Sequence, residues 1–202
     1  MIALVVVVAI AVVVGLFVLL TLNRLVRQRL AVDNSWAQIE VALKLRHDLV
    51  PNLVETVAGY AGHESAVLQQ TAEARGTAMS AVGVGPGAQA PLEGALALGI
   101  GKLIGLAEAY PELKASDNFA ALQAELASVE ERISITRRVY NDTVETLNTS
   151  VAVFPPSLVA NAFGFEPREF FSAGAEATVA PAFSLPGTPG DDKARTPGDI
   201  PK

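Results

Sequence analysis

The sequence is poor in the side chains that most often carry out chemistry. Its 202 residues include no cysteine and two histidines, and 18% of them are charged. The lack of cysteine excludes a disulfide scaffold, a cysteine-based zinc module and a thiol enzyme. His47 and His63 are sixteen residues apart, which is about 24 Å along a straight helix and too far for a shared metal ion. We therefore expect no catalytic residue, no metal, no cofactor and no small-molecule substrate, and we expect that the protein is not an enzyme.

Excess positive charge is also lacking. The net charge is −6, and the basic residues cluster in only two places, at 24–29 and at 132–138, where the second cluster lies among acidic residues. Nucleic-acid binding requires a basic surface that can neutralise phosphates. We therefore expect no nucleic-acid partner.

One long hydrophobic run is present at the N-terminal end. Every residue from Met1 to Leu22 is hydrophobic except Gly15 and Thr21. In a helix this run would be about 33 Å long, enough for a hydrocarbon core of about 30 Å. A cleaved signal peptide is the alternative, but it requires a basic start, a shorter apolar core and a small-residue cleavage site, and these are lacking. The sequence thus predicts a retained transmembrane helix at 1–22.

The charges beside this run predict its orientation. Arg24, Arg27 and Arg29 follow the apolar residues closely, and no lysine or arginine precedes them. Basic residues flanking a span favour the cytoplasmic side. We therefore expect a single-pass protein in the cell membrane, with a short N-terminus outside and everything after Arg24 in the cytoplasm.

Two heptad-like stripes of hydrophobic residues follow. They predict two long amphipathic helices, at about 23–62 and 112–154, which pack against partners as in a coiled coil. Arg46 interrupts the first stripe. Pro51 cannot donate to the carbonyl of His47, so we expect a kink or a restart there, with Asp48 as a cap. The first stripe contains Val32, Trp36, Ile39, Leu43, Val50, Leu53, Val57 and Tyr60, and the second contains Phe119, Leu122, Leu126, Val129, Ile133, Thr136, Tyr140, Val144, Leu147, Val151 and Phe154.

The fold class that follows is all-α. Two matched amphipathic helices are best buried as an elongated antiparallel bundle. Shorter helices are expected between them, at about 63–81 and 92–110, and a mobile loop at 82–91, where three glycines and two prolines occur. The bundle domain is expected to cover residues 23–172. The remaining residues, 173–202, are rich in Pro, Gly and Ala, which predicts a disordered tail.

Two groups of residues are candidates for a site. One is a polar set on the two long helices, which forms either a buried network between helices or a surface that recognises a partner. The other is an aromatic cluster, which either folds back onto the end of the bundle or forms an exposed docking patch. The polar set contains His47, Asp48, Asn52, Glu55, Tyr140, Asn141 and Asp142, and the aromatic cluster contains Phe163, Phe165, Phe170 and Phe171.

Several motifs, in order behind the apolar run, resemble the LemA family of bacterial membrane proteins. They are VDNSWAQIEVALK at 32–44, RHDLVPNLVETV at 46–57, AEAYPELKA at 107–115, YNDTV at 140–144 and FGFEP at 163–167. The resemblance covers about residues 1–172. It implies a single span followed by a helical bundle, with the short N-terminus outside. It implies neither an activity nor catalytic residues.

These features favour a non-enzymatic scaffold or adaptor that is anchored in the lipid bilayer and recruits a membrane or cytoplasmic protein. The alternative is an accessory or regulatory subunit of a membrane enzyme, such as a protease, that acts through its transmembrane helix. Self-association is a further possibility that the sequence leaves open, because a heptad stripe can pack against another helix of the same chain or against a second copy of the chain.

Overall fold

A computed structural model describes residues 1–172, and this part of the chain is all-α. The predicted tail at 173–202 lies outside the described residues. The helices are α1 (Ile2–Ala61), α2 (Ser65–Ser80), α3 (Pro86–Leu106), α4 (Pro111–Lys114), α5 (Asp117–Ala152) and α6 (Pro156–Ala162).

The predicted span and the predicted first bundle helix are one continuous helix. α1 contains 60 residues and is therefore about 90 Å long. Its N-terminal part is long and apolar enough to cross a membrane, and residues 1–17 are exposed. Its second part lines the core of the bundle. No connecting loop separates the two parts.

α5 lies antiparallel to the second part of α1, as the paired stripes predict. Gln28 donates to Ser150 over 3.0 Å at one end, and Asn118 donates to Thr56 over 3.1 Å at the other. Residue numbers thus rise along α1 while those of their partners fall along α5. This register fixes which part of α5 lies nearest the apolar run.

Pro51 does not break the helix, so the expected kink or restart is not a helix boundary. α1 continues through Pro51, and Asp48 has no new helix to cap. A proline leaves the carbonyl four residues before it without a helical donor. Arg75 of α2 supplies that donor, because its Nε donates to the His47 carbonyl over 2.7 Å. Pro51 thereby creates a point of attachment for α2.

The two predicted stripes form most of the core. All members of the first are buried except Trp36, which is half-buried, and Tyr60, which is exposed. In the second stripe Thr136 is half-buried and Phe154 is exposed. Arg46, which interrupts the first stripe, is buried as well.

The connections around the middle helices differ from the prediction. The expected loop at 82–91 is shorter, because α3 already begins at Pro86; proline suits the first position of a helix, where its missing N–H has no partner to lose. The second long helix begins at Asp117 instead of residue 112. Ser116 caps it by accepting from the amide of Phe119. α4 forms a separate single turn before it.

α2 and α3 approach each other closely at Gly99. A Cβ added there would lie 3.0 Å from the hydroxyl oxygen of Thr71, which is fully buried. A side chain at this position would require Thr71 to shift by a few tenths of an ångström. The small residue therefore allows α2 to lie against α3.

Candidate functional site

A buried ion cluster connects three helices. Arg46 of α1 and Glu93 of α3 form an ion pair in which the arginine is 3% exposed and the glutamate 1%. The Arg46 guanidinium also donates to the Glu93 carbonyl over 3.3 Å and to Glu130 of α5 over 3.0 Å. One arginine therefore holds α1, α3 and α5 together.

Glu93 receives two further side chains. His47 Nε2 lies 3.0 Å from Glu93 Oε1, and Gln89 Nε2 donates to the same oxygen over 3.3 Å. Burial acts to raise the pKa of Glu93, but the hydrogen bond from His47 and the charge of Arg46 outweigh it, and the net pKa is lowered. An ionised carboxylate accepts hydrogen bonds only, so His47 carries its proton on Nε2.

An open cavity of about 850 Å³ lies beside this cluster. Its lining is mainly apolar and includes Leu43, Leu98 and Ile133, with Arg46 and Arg137 among the polar residues. Arg46 Nε has no hydrogen-bond partner among the residues that the structure describes. The charged groups of the cluster otherwise pair with one another, which suits a structural connection better than acid–base chemistry.

The C-terminal strap, residues 165–172, is held on α5 through its backbone. Asn148 donates to the Arg168 carbonyl over 2.9 Å and accepts from the Arg168 amide over 2.8 Å. Asn141 makes the same pair of bonds with Phe171, at 3.3 and 3.0 Å. The two asparagines are seven residues apart, which places them on one face of α5. Each satisfies both backbone groups of one strap residue, as a neighbouring β-strand would.

An aromatic contact anchors the end of the strap. Phe171 is 1% exposed, and its ring centroid lies 5.4 Å from that of Trp36 in an edge-on arrangement. Tyr140 lies 5.2 Å from Trp36 and donates its hydroxyl to the Glu169 carbonyl over 2.8 Å. Burial is the main cause that raises the pKa of Tyr140 to about 12. Tyr140 therefore remains a hydrogen-bond donor throughout the physiological range.

The structure divides the predicted aromatic cluster. Phe171 is buried, and Phe165 is half-buried below Arg29, whose guanidinium carbon lies 5.5 Å from the ring centroid. Phe163 and Phe170 are exposed. The fold-back interpretation thus fits Phe171 and Phe165, and the exposed-patch interpretation fits Phe163 and Phe170.

The predicted polar set is divided too, so it does not form one network between the two long helices. His47 belongs to the ion cluster, while Tyr140 and Asn141 hold the strap. The other members are exposed: Asp48, Asn52, Glu55 and Asp142. The division arises because neighbouring residues on a helix point about 100° apart, so His47 faces α3 while Asp48 faces outward. Within residues 1–172, no three His, Cys, Asp or Glu side chains are grouped so that they could hold a metal ion.

Comparison with known proteins gives the family. The LemA family model matches residues 35–184, which is most of the chain and includes the ion cluster and the strap. The chain belongs to the LemA family.

Individual relatives agree with this membership. The chain is 26% identical over 138 residues to protein LemA of Metamycoplasma hominis, covering 68% of this chain and 63% of that protein. It is 25% identical over 156 residues to magnetosome protein MamQ 2 of Paramagnetospirillum magneticum, covering 65% and 57%. It is 24% identical over 159 residues to magnetosome protein MamQ of Magnetospirillum gryphiswaldense, covering 67% and 58%. The chain therefore spans about three fifths of the length of these curated relatives.

Sequence reasoning did not find the partners of the ion cluster. Gln89 lies in the predicted loop at 82–91 and Glu93 near the start of the predicted helix at 92–110, and Glu130 is not a member of the second stripe. One signal was available, because Arg46 occupies a core position of an otherwise apolar stripe. A buried arginine requires a carboxylate partner, and this requirement pointed to an acidic residue elsewhere in the bundle.

Proposed function

We propose that this LemA-family protein is a non-enzymatic scaffold or adaptor that α1 anchors in the cell membrane. The observation that carries the proposal is the continuity of α1. Its first part is uncovered and apolar, whereas its second part is the central helix of the bundle. A protein that binds to α5 or α3 would therefore be held at a fixed distance from the bilayer.

Charge supports an orientation with the bundle in the cytoplasm and the other end of α1 outside. Arg24, Arg27 and Arg29 are exposed where the apolar run ends. Basic residues next to a span favour the cytoplasmic side. They also attract anionic headgroups, at about 1 kcal/mol for each residue near the surface.

The chemistry of the bundle supports a non-enzymatic role. Its buried acidic and basic side chains pair with one another, and the Glu93 carboxylate receives Arg46, His47 and Gln89. The exposed polar face of α1, with Asp48, Asn52 and Glu55, is available for recognition of a membrane or cytoplasmic protein, or of a second copy of this chain.

The alternative is a regulatory subunit of a membrane enzyme, such as a protease. The same continuity of α1 supports it, because a displacement of the span would be passed directly to the bundle. In this case the partner would contact residues 2–22, whereas a scaffold would contact its partner through the bundle.

A span exchange distinguishes the two roles. One variant replaces residues 2–20 with an unrelated apolar helix of the same length, and a second carries Asp48→Ala, Asn52→Ala and Glu55→Ala on the exposed face. Both are purified from native membranes, and the proteins that copurify with each are identified. A scaffold retains its partners after the span exchange. If the span exchange abolishes copurification and the bundle substitutions do not, the scaffold role is wrong and the regulatory role is supported.

A further inference from the structure

The end of the bundle nearest the apolar run has an exposed hydrophobic surface, which we call the α6 patch. It consists of Val153, Phe154, Leu158 and Phe163. Phe154 is 74% exposed, Leu158 63% and Phe163 56%. Groups of exposed apolar side chains of this kind can mark a surface that binds a protein, a ligand or a membrane.

The register of α1 and α5 places this patch beside the apolar run. Gln28 pairs with Ser150, and α5 ends at Ala152, so the patch begins where α1 has reached Arg24. α6 contacts α1, and Val159 and Ala160 belong to the same core cluster as Leu25.

α6 therefore lies against the last turns of the predicted span. Val18 and Leu22 pack against that same cluster. Thr21 is 8% exposed, although most of the apolar residues before it are exposed. The contact reaches back into residues that were assigned to the membrane from the sequence alone.

The charges around the patch suit a bilayer surface. No ionisable side chain occurs between Glu145 and Glu166. Arg24, Arg27 and Arg29 are exposed at the same level of α1. An apolar face next to basic residues is typical of elements that lie in the interface between headgroups and acyl chains.

We propose that the α6 patch inserts into the cytoplasmic interface of the bilayer that α1 crosses. This inference rests on the proposed membrane anchor. The patch stops at the interface because α6 is seven residues long, and the free backbone groups at its ends require water or headgroups. Phenylalanine and leucine side chains reach about 5–10 Å into the boundary from there. The bundle is thus attached to the membrane at two places, through α1 and through α6.

Depth-dependent quenching tests the contact. The chain has no native cysteine, so single cysteines can be labelled with an environment-sensitive fluorophore at Leu158 (Leu158→Cys), at Leu16 in the apolar run (Leu16→Cys) and at Leu98 on α3 (Leu98→Cys). Leu98 is the matched control, since it is a leucine of similar exposure, at 72%. The full chain is reconstituted in vesicles of phosphatidylcholine and phosphatidylglycerol that contain lipids with a nitroxide near the headgroup or near the end of the acyl chain.

The expected result is a loss of fluorescence at position 158 with the shallow nitroxide, at position 16 with the deep nitroxide, and at position 98 with neither. If position 16 is quenched and position 158 behaves like position 98, the anchor stands and the α6 contact is wrong; the patch then faces water or a protein. If position 16 is not quenched, the proposed membrane anchor is wrong, and the proposed contact of α6 with the bilayer is wrong as well.

Discussion

Replacing Glu93 with glutamine should destabilise the bundle more than any substitution of an exposed carboxylate. The two side chains are similar in volume, so no cavity is created. Glutamine cannot balance the charge of Arg46, which is 3% exposed, and its amide nitrogen would face the donors of Arg46 and His47. Removing one partner of a buried ion pair costs about 3–5 kcal/mol, and we expect a loss at the lower end because the Glu93 carbonyl and Glu130 still contact Arg46.

Urea unfolding of the full chain in a mild detergent measures this loss. Trp36 is the only tryptophan and contacts Tyr140 and Phe171 in the core, so its fluorescence reports the packing of the bundle. With a urea dependence of about 2 kcal/mol per molar for a domain of this size, the midpoint should fall by about 1.5 M.

Glu130→Gln is the matched control. Glu130 also pairs with Arg46, but its side chain is 42% exposed, so solvent screens the pair and the expected cost is about 1 kcal/mol or less. The double variant Arg46→Met/Glu93→Leu should recover only part of the loss. Apolar replacement of a whole buried pair is often neutral, but His47 and Gln89 lose the carboxylate that accepts from them. Equal midpoints for Glu93→Gln and Glu130→Gln would refute the reasoning.

Three other predictions use the same unfolding assay. Because the pKa of Glu93 is lowered in the folded chain, its contribution to stability is complete above its ordinary pKa of 4.5 and is lost as the pH falls through the lower folded value. The native chain should therefore lose more stability on acidification than Glu93→Gln. Equal losses would show that Glu93 does not control the effect. Arg75→Ala should cost about 1–3 kcal/mol by leaving the His47 carbonyl without a donor. The same substitution should cost clearly less in a Pro51→Ala background, where the backbone of residue 51 supplies an N–H. An equal cost of Arg75→Ala in both backgrounds would contradict this account. Phe171→Ala should cost about 3–5 kcal/mol and release the strap. Phe170→Ala is the control at an exposed neighbouring position and should change the midpoint little. Similar effects of the two substitutions would mean that the strap is not anchored at Phe171.

The long helices were predictable because their periodicity is a local property. The side chains of each stripe recur every three or four residues, and such spacing predicts a buried face whatever the partner is. Their antiparallel arrangement followed from their matched lengths. The continuity of α1 did not follow in the same way, because a proline predicts a break unless another group satisfies the free carbonyl. That group is Arg75, and its proximity to His47 depends on the folded path of α2.

The contents of the candidate site were less predictable for a similar reason. Arg46, Glu93 and Glu130 are 47 and 37 residues apart in sequence, and no local pattern connects them. The strap illustrates the same limit. Asn141 was selected as part of a polar set, but Asn148 was not, although the two amides make identical bonds to backbone groups. The asparagines bond to backbone groups of the strap, and every residue type carries these groups. The sequence of the strap therefore gives no signal of the contact.

The burial of α1 explains why one helix can serve two environments. A helix in lipid needs no polar face, since every backbone group is satisfied internally, whereas a helix in a bundle needs one apolar face only. In α1 the change occurs between Val18 and Leu25, where the contact with the bundle starts and the exposed arginines begin. A short loop there would let the bundle rotate independently of the span. In the anchored arrangement proposed above, the continuous helix would make the rotation of the span determine the direction in which α5 and the α6 patch face the bilayer.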